Sequence, residues 1–548
     1  DKWIEKAQPS YVEEFARLAN MEEDSARGVV DKCRAYHKLK DTEELRKMRL
    51  EADAWTAAFF LPLTEMSSLV PTSGEVKRLG SQALLDDSLT KKVTEIADKY
   101  RFFHWYLEFP EIFAAGGFDV ILGNPPWEKI KLEEKEFFAD KDIGISNAMT
   151  AVSRGKLIKK LTESNPILLK EYIDALSRID KEGKFLRSSG RFPLAGIGDV
   201  NTYPIFVELA VRELLAPKGK IGIVVKTGIA TDYSTRYLFA DLVEKSFLVS
   251  LYDFVNSERI FAEVAPPERF CLLTLSGKEN KAKDFEFSFY NSNFAMLLDE
   301  TRKYKLNSEE IKQLNPNTLN CPIFKTKKDK EITQLIYQST SILIDKKKKY
   351  NPWGIKYHTM IHMANDSHLF AENTKEKLES LGFILGKDGI FRGENDIYLP
   401  LYEAKYINVY DHRFGTFKGT PPESRFKGRA QPHAPSDDNK KDINYEIEAR
   451  YWIRKKDFES KFNINWNKGW IFAFRNITRS TTDTRSTMGT LVPFFPLGNS
   501  ASAISFEGDN ITQRAILFAS LFSSFTFDYI LRQKLGGTNF SLFILEQL

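Results

Sequence analysis

The chain is 548 residues long, enough for about three or four domains. Lys and Arg number 79 against 75 Asp and Glu, a net charge of only +4, which excludes a histone-like polycation while leaving local basic surfaces open. A hydrophobic fraction of 42% with 42 phenylalanines excludes a disordered chain. Cys33, Cys271 and Cys321 are too few and too scattered for a disulfide framework or a zinc ribbon, so a reducing, intracellular setting is expected.

From the start to residue 101 the spacing of apolar residues predicts a helical segment, as in "PSYVEEFARLANMEEDSARGVVDKCRAYHKL". Residues 102–277 change character. Phe118 to Leu122 reads as a short buried strand entering a Gly-Asn-Pro-Pro loop. An amphipathic helix, a Pro217-Lys218-Gly219 turn and the apolar strand Ile221 to Val225 follow, then strand-like runs "LVSLYDFVN" and "RFCLLTLSG". Alternating strands and helices predict an α/β layer with a largely parallel sheet. A charged helical insertion separates the first two strands. Residues 278–350 form a basic linking segment, and residues 351–548 a mixed α+β region with hairpins near Gly-Asp turns. An apolar helix is expected around Ala515 to Ile530. No run of 18 or more uninterrupted apolar residues suggests a membrane span. With no initiator Met and an abrupt end, the chain is expected to be a piece of something longer.

The residues with the clearest chemistry are Asn124, Pro125, Pro126 and Trp127, directly after the first predicted strand. The amine on a purine ring is a poor nucleophile because its lone pair is delocalised. The Asn124 side-chain oxygen and the Pro125 carbonyl can each accept one of its protons, drawing the nitrogen toward tetrahedral geometry. Prolines fix φ near −65° and keep both acceptors in place. Trp127 offers a stacking face, worth about 1–3 kcal/mol for a base on an aromatic ring. The base must first leave the duplex.

"GGFDVILGNPPWEKIKLEEKEFFA", "GDVNTYPIFVELAVRELLAPKGKIGIVVKTGIATD" and "LYDFVNSERIF" resemble the N6-adenine DNA methyltransferases of the gamma group. The likeness is strongest to the large methylases of type IIG restriction–modification systems and of phage-defence systems such as DISARM and BREX. "LPLYEAKYINVYDHRF", "ARYWI", "FAFRNITRSTTDTRS" and "RQKLGGTNFSLFILEQL" resemble the target-recognition region of those enzymes. The resemblance covers about residues 50 to 548. It implies an incomplete Rossmann-like methyltransferase sheet with helical insertions, its catalytic part in residues 102–277, followed by a DNA target-recognition domain in 351–548. It also implies S-adenosylmethionine as cofactor, double-stranded DNA as partner, other subunits of a defence system as further partners, and a prokaryotic cytoplasm without membrane contact.

Carried over by motif, Asn124, Pro125, Pro126 and Trp127 become catalytic, with Asn124 and Pro126 also touching the cofactor. Tyr203 falls in the motif that begins the helix beside the cofactor and base pockets. Arg475, Asn476, Thr478, Lys534, Gly536, Gly537 and Thr538 become DNA contacts. One departure is large. The family's Asp-x-x-x-Gly-x-Gly loop, and the acidic residue after its second strand, have no counterpart here: "FAAGGFD" and "LAGIGD" neither follow an apolar strand nor open a helix. The expectation is a chain that starts downstream of the cofactor loop. The alternative is a non-catalytic DNA-recognition half of a split or degenerate methylase. Methyl transfer to an amide or amine of RNA or protein is a weaker third reading.

Other patterns compete for a function. His358 and His362 have the i, i+4 spacing of a helical metal site but lack a third ligand, so no metal is expected. Asp396 with Glu403 and Lys405 imitates a nuclease pattern. Lys346 to Lys349, and Arg425, Lys427 and Arg429, read equally as solvated surface or as DNA-backbone contacts. Cys271 reads as inert core.

Overall fold

The computed structural model describes residues 9–62, 70–79, 87–148, 151–426, 430–480 and 482–548. The chain divides into two compact units, one of residues 1–298 with 305–308, the other of 299–304 with 309–548.

The first unit opens with helices Pro9–Ala19, Ala26–Lys40, Glu43–Ala57, Ser73–Leu79 and Asp87–Tyr100, the helical segment its apolar spacing predicts. The strands that follow are β1 (Phe118–Gly123), β2 (Leu215–Lys226), β3 (Leu248–Val255), β4 (Arg269–Ser276), β5 (Phe285–Asn291) and β6 (Tyr304–Leu306). They form one sheet in the order β1-β2-β4-β3-β5-β6. Ile221, Ile223 and Val225 on β2 and Phe270, Cys271, Leu273 and Leu275 on β4 are buried, which places Cys271 in the core. Burial raises its thiol well above the ordinary range. Between β1 and β2 lies the charged insertion, whose long helices are Ala151–Ser164 and Pro166–Ser188. Asn165 separates them because its side chain caps the second helix, accepting from the Leu168 N–H.

The sheet departs from the largely parallel one expected. β1 and β2 are parallel, as are β3 and β5, but β4 runs antiparallel to both β2 and β3. The loop from Asn256 to Glu268 has no crossover helix, so the chain folds straight back beside β3. One consequence is functional. The carboxyl ends of β1, β2 and β3 and the amino end of β4 all emerge on the same edge of the sheet.

The second unit holds two four-stranded sheets. One has the order β11-β10-β9-β8, from β8 (Ile384–Leu385), β9 (Phe391–Arg392), β10 (Ile397–Pro400) and β11 (Trp452–Arg454), the hairpins expected from the turn residues. The other has the order β13-β12-β14-β7, from β7 (Ile355–His358), β12 (Trp470–Arg475), β13 (Gly489–Pro493) and β14 (Ala501–Phe506). Every residue of β14 is buried, and its two buried serines are paired with β7, Ser502 with the Tyr357 hydroxyl and Ser505 with His358. The apolar helix expected around Ala515 to Ile530 is two, Ile511–Phe522 and Phe525–Arg532, bent by 61°. Ser524 starts the second by accepting the Phe527 N–H. Among the described residues no single helix is long and apolar enough to cross a membrane, though this bent pair passes by length and composition.

Several competing patterns are settled by packing. His358 ends a strand and bonds Ser505 through Nε2 at 2.7 Å, while His362 lies in a loop and accepts the Asn365 N–H through Nδ1; the pair does not share a helix face. Glu403 is buried in a two-pronged pair with Arg450 at 3.1 and 2.8 Å, with Lys405 3.2 Å away. Asp396 pairs instead with Arg454 and Lys456, so the nuclease-like pattern does not assemble. Arg425 is buried between Glu448 at 2.9 Å and Glu376 at 3.4 Å, a structural pair rather than a DNA contact. Lys427 and Arg429 lie outside the described residues. In the lysine run, Lys346 pairs with Glu546 and Lys348 with Asp345.

Candidate functional site

Asn124 follows β1 without a gap, and the turn it opens sits at the shared edge of the sheet. Asn124 and Pro126 are exposed, Pro125 and Trp127 half-buried. Among the described residues, neither the Asn124 side chain nor the Pro125 carbonyl has a protein hydrogen-bond partner. The next carbonyl, that of Pro126, is occupied: Thr202 Oγ1 donates to it at 2.5 Å. The backbone then zips onto the segment before Tyr203, through Ile130 N to Val200 O and Thr202 N to Glu128 O, both 2.9 Å. The turn is thus held from behind, with two acceptors left without a partner among the described residues.

Trp127 is fixed by three contacts. Its Nε1 donates to the Val224 carbonyl of β2 at 3.3 Å. Its ring stacks at 6.1 Å and 24° on Phe270, which itself stacks on Phe254 at 5.4 Å. Phe261 meets it edge-on at 5.6 Å. Phe261 stands in the loop after β3, where buried Asn256 accepts the Phe261 N–H at 2.9 Å and donates to the Phe261 and Val264 carbonyls. Trp127 and Phe261 together make an aromatic corner beside the open acceptors.

Tyr203 is buried, and burial first, then the Asp232 charge, raises its hydroxyl above the ordinary phenol range. Its hydroxyl and the Asp232 carboxylate converge on Gly228, where a Cβ would lie 3.1 Å from the one and 2.4 Å from the other. A side chain there would have to displace the Asp232 carboxylate. The Asp232 carboxyl is raised by desolvation, against the Thr231 hydrogen bond and the charges of Lys226, Arg269 and Lys129. The turn carrying Gly228 is pinned on both sides. Thr235 Oγ1 donates to the Gly228 carbonyl at 2.6 Å, and Thr227 Oγ1 donates to Asp253 at 2.6 Å. Fully buried Asp253 also takes the fork of Arg269 at 3.1 and 2.6 Å and the Tyr290 N–H at 2.8 Å.

The sequence-derived DNA contacts separate into two groups. Arg475 and Gly536 are half-buried, and Gly537 and Thr538 are exposed. Asn476, Thr478 and Lys534 are buried. Asn476 donates to the Asn499 carbonyl, Thr478 donates to Asp483, and the Lys534 ammonium reaches the Leu314 carbonyl and Asn315. Burial drives the Lys534 amine well below its ordinary range. These three support the fold beneath the surface, which corrects their placement as ligand contacts. The residues that motif reading passed over are Thr202, Gly228, Asp232, Asp253 and Phe261. Phe261 lies within "LYDFVNSERIF", but the contact that gives it a role spans more than a hundred residues.

A doubly layered α/β site at the carboxyl ends of sheet strands is where ligands bind in such folds. Residues 58–154, which include Asn124–Trp127, match the family model described as "Eco57I restriction-modification methylase". The curated proteins give no match. Solved structures with overall similarity include the ATP-dependent Type ISP restriction–modification enzyme LlaBIII bound to DNA, at 10% identity and TM-score 0.35, covering 83% of this chain and 30% of that one. The Type IIL restriction–modification enzyme MmeI in complex with DNA gives 10% identity, TM-score 0.34 and coverages of 85% and 57%. A type I methyltransferase subunit from Streptococcus thermophilus gives 15%, 0.23, and 49% and 56%. The chain therefore spans between about a third and just over half of the length of these proteins.

Proposed function

We propose that this chain carries the catalytic loop and the DNA-reading part of a site-specific DNA adenine-N6 methyltransferase of the restriction–modification or phage-defence kind. The observation that carries the reading is the exposed Asn124–Trp127 turn, with two acceptors left without a partner among the described residues beside an aromatic corner. A flipped adenine stacked at Trp127 and Phe261 places its amine against Asn124 Oδ1 and the Pro125 carbonyl. These two oxygens hold its protons and free the lone pair. Thr202 keeps the Pro126 carbonyl out of this role and fixes the turn. Because both acceptors are set before the base arrives, little reorganisation is needed during reaction. S-adenosylmethionine, when bound, supplies the electrophilic methyl group.

On this reading the chain supplies one side of a cofactor site. β1 is the terminal strand of its sheet, and Val120 and Leu122 on it are 61% and 78% exposed. An apolar, unpaired edge is unusual unless something covers it. We assign the cofactor-binding half to residues outside this chain, in the same polypeptide or in another subunit. On that assignment, calorimetry of the chain by itself should show no tight S-adenosylmethionine binding; a micromolar dissociation constant would overturn it. The activity is tested by sequencing genomic DNA for N6-methyladenine with and without the parent gene. Deletion should erase one methylated motif, and an unchanged methylation pattern refutes the reading.

A further inference from the structure

At the exit of β12 the chain alternates. Ile477 and Arg479 are exposed and Arg475 is half-buried, while Asn476 and Thr478 are buried. Outward side chains two residues apart in extended chain stand about 7 Å from one another, so a guanidinium, an apolar group and a second guanidinium are set in a row. Ile477 is 60% exposed. Arg475 is oriented rather than loose. Its Nε donates to the Ile407 carbonyl at 2.6 Å, and its guanidinium lies 5.4 Å over the Phe414 ring. Among the described residues, its two terminal nitrogens and the Arg479 guanidinium have no protein hydrogen-bond or ion-pair partner.

The loop that holds Arg475 adds an aromatic. Asn408 and Asp411 exchange backbone hydrogen bonds at 2.7 and 3.1 Å, closing a tight turn with Tyr410 in it. Tyr410 has φ 55° and is 62% exposed. A bulky side chain in the left-handed region is unfavourable and persists only where the surroundings fix it. They do so here: Lys440 pairs with Asp411 at 2.7 Å, and Arg413 donates to the carbonyls of Lys440, Asp442 and Tyr445. Glycine or asparagine would suit the turn better, so the ring is there for what it presents to the outside.

We propose that Tyr410, Phe414, Arg475, Ile477 and Arg479 form one contact surface for duplex DNA. This rests on the reading of the chain as a DNA methyltransferase, and names the residues that grip its substrate. Two open guanidinium forks match phosphate oxygens or the O6 and N7 acceptors of guanine, and an apolar group between them suits a thymine methyl. Tyr410 supplies a stacking ring at the front of the surface.

The test is binding of the purified chain to a labelled duplex of mixed sequence over a range of salt, for wild type, Tyr410→Ala, Arg475→Lys, Arg479→Ala and the exposed control Lys456→Ala. Thermal melting monitors folding of each variant. Arg479→Ala should weaken binding about tenfold and lower the salt slope by about one. Arg475→Lys keeps the charge and should still weaken binding through loss of the fork. Tyr410→Ala should weaken it roughly fivefold or more with little change in slope, and Lys456→Ala should match wild type. Equal binding by all folded variants overturns this surface and leaves the methyltransferase reading standing. No duplex binding by wild type, or preference for RNA, overturns both.

Discussion

Asn124→Ala in the intact enzyme is expected to lower the rate of methyl transfer by about 10²–10³-fold or more, the scale for removing one preorganised polar contact to a reacting centre. Duplex binding should stay nearly unchanged. Asn124 is exposed and, among the described residues, its side chain has no hydrogen-bond partner, so folding stability should move by no more than about 0.5 kcal/mol. That combination separates a chemical role from a structural one. Asn124→Asp restores an acceptor oxygen and should recover part of the rate. The measurement is single-turnover methylation with saturating cofactor, alongside an equilibrium binding curve. Retained wild-type turnover in the alanine variant would remove Asn124 from the chemistry and, with it, the central argument for an amine substrate.

The second large effect lies behind the site. Asp253→Ala should destabilise the first unit by about 3–5 kcal/mol, the usual consequence of stripping one partner from a buried ion pair. Arg269 would lose its carboxylate partner, and the Thr227 hydroxyl and Tyr290 N–H would lose their acceptor. Since natural domains are stable by only about 5–15 kcal/mol, urea unfolding should show a clear drop in midpoint. Replacing both partners by apolar residues, as in Asp253→Leu with Arg269→Met, should recover much of the loss, because no unpaired charge remains. A midpoint shift in Asp253→Ala corresponding to less than about 1 kcal/mol would mean that water or another group compensates for Asp253.

The two effects are linked by geometry. Asp253 holds Thr227, Thr227 precedes Gly228, and Gly228 is the close-packed point between the Tyr203 hydroxyl and the Asp232 carboxylate. A mild substitution such as Asp253→Asn therefore acts on the packing around Gly228 as well as on stability. Asn124, by contrast, is exposed, and among the described residues its side chain has no hydrogen-bond partner. The first unit thus combines an exposed Asn124 acceptor with a buried ionic brace.

Composition and local pattern by themselves determined the helical opening segment, the core position of Cys271, the hairpins of the second unit and the presence of the strand before Asn124, but not its burial: its residues predict a buried strand, and it is instead a largely exposed terminal one. Each depends on neighbours in sequence: apolar spacing, turn residues, and a proline pair that rigidifies its own loop. The tertiary structure decided the rest. Antiparallel β4 could not be read from its own residues, because strand direction is set by the connection and the partner. Lys534, Asn476 and Thr478 carry the side chains of ligand contacts, yet burial and internal partners hundreds of residues away for Lys534 turn them inward. Ile477 and Arg479, less suggestive as letters, face outward because extended chain alternates its sides. Phe261, Thr202 and Asp253 act through contacts between distant strands and loops, and such contacts leave no periodic trace along the chain.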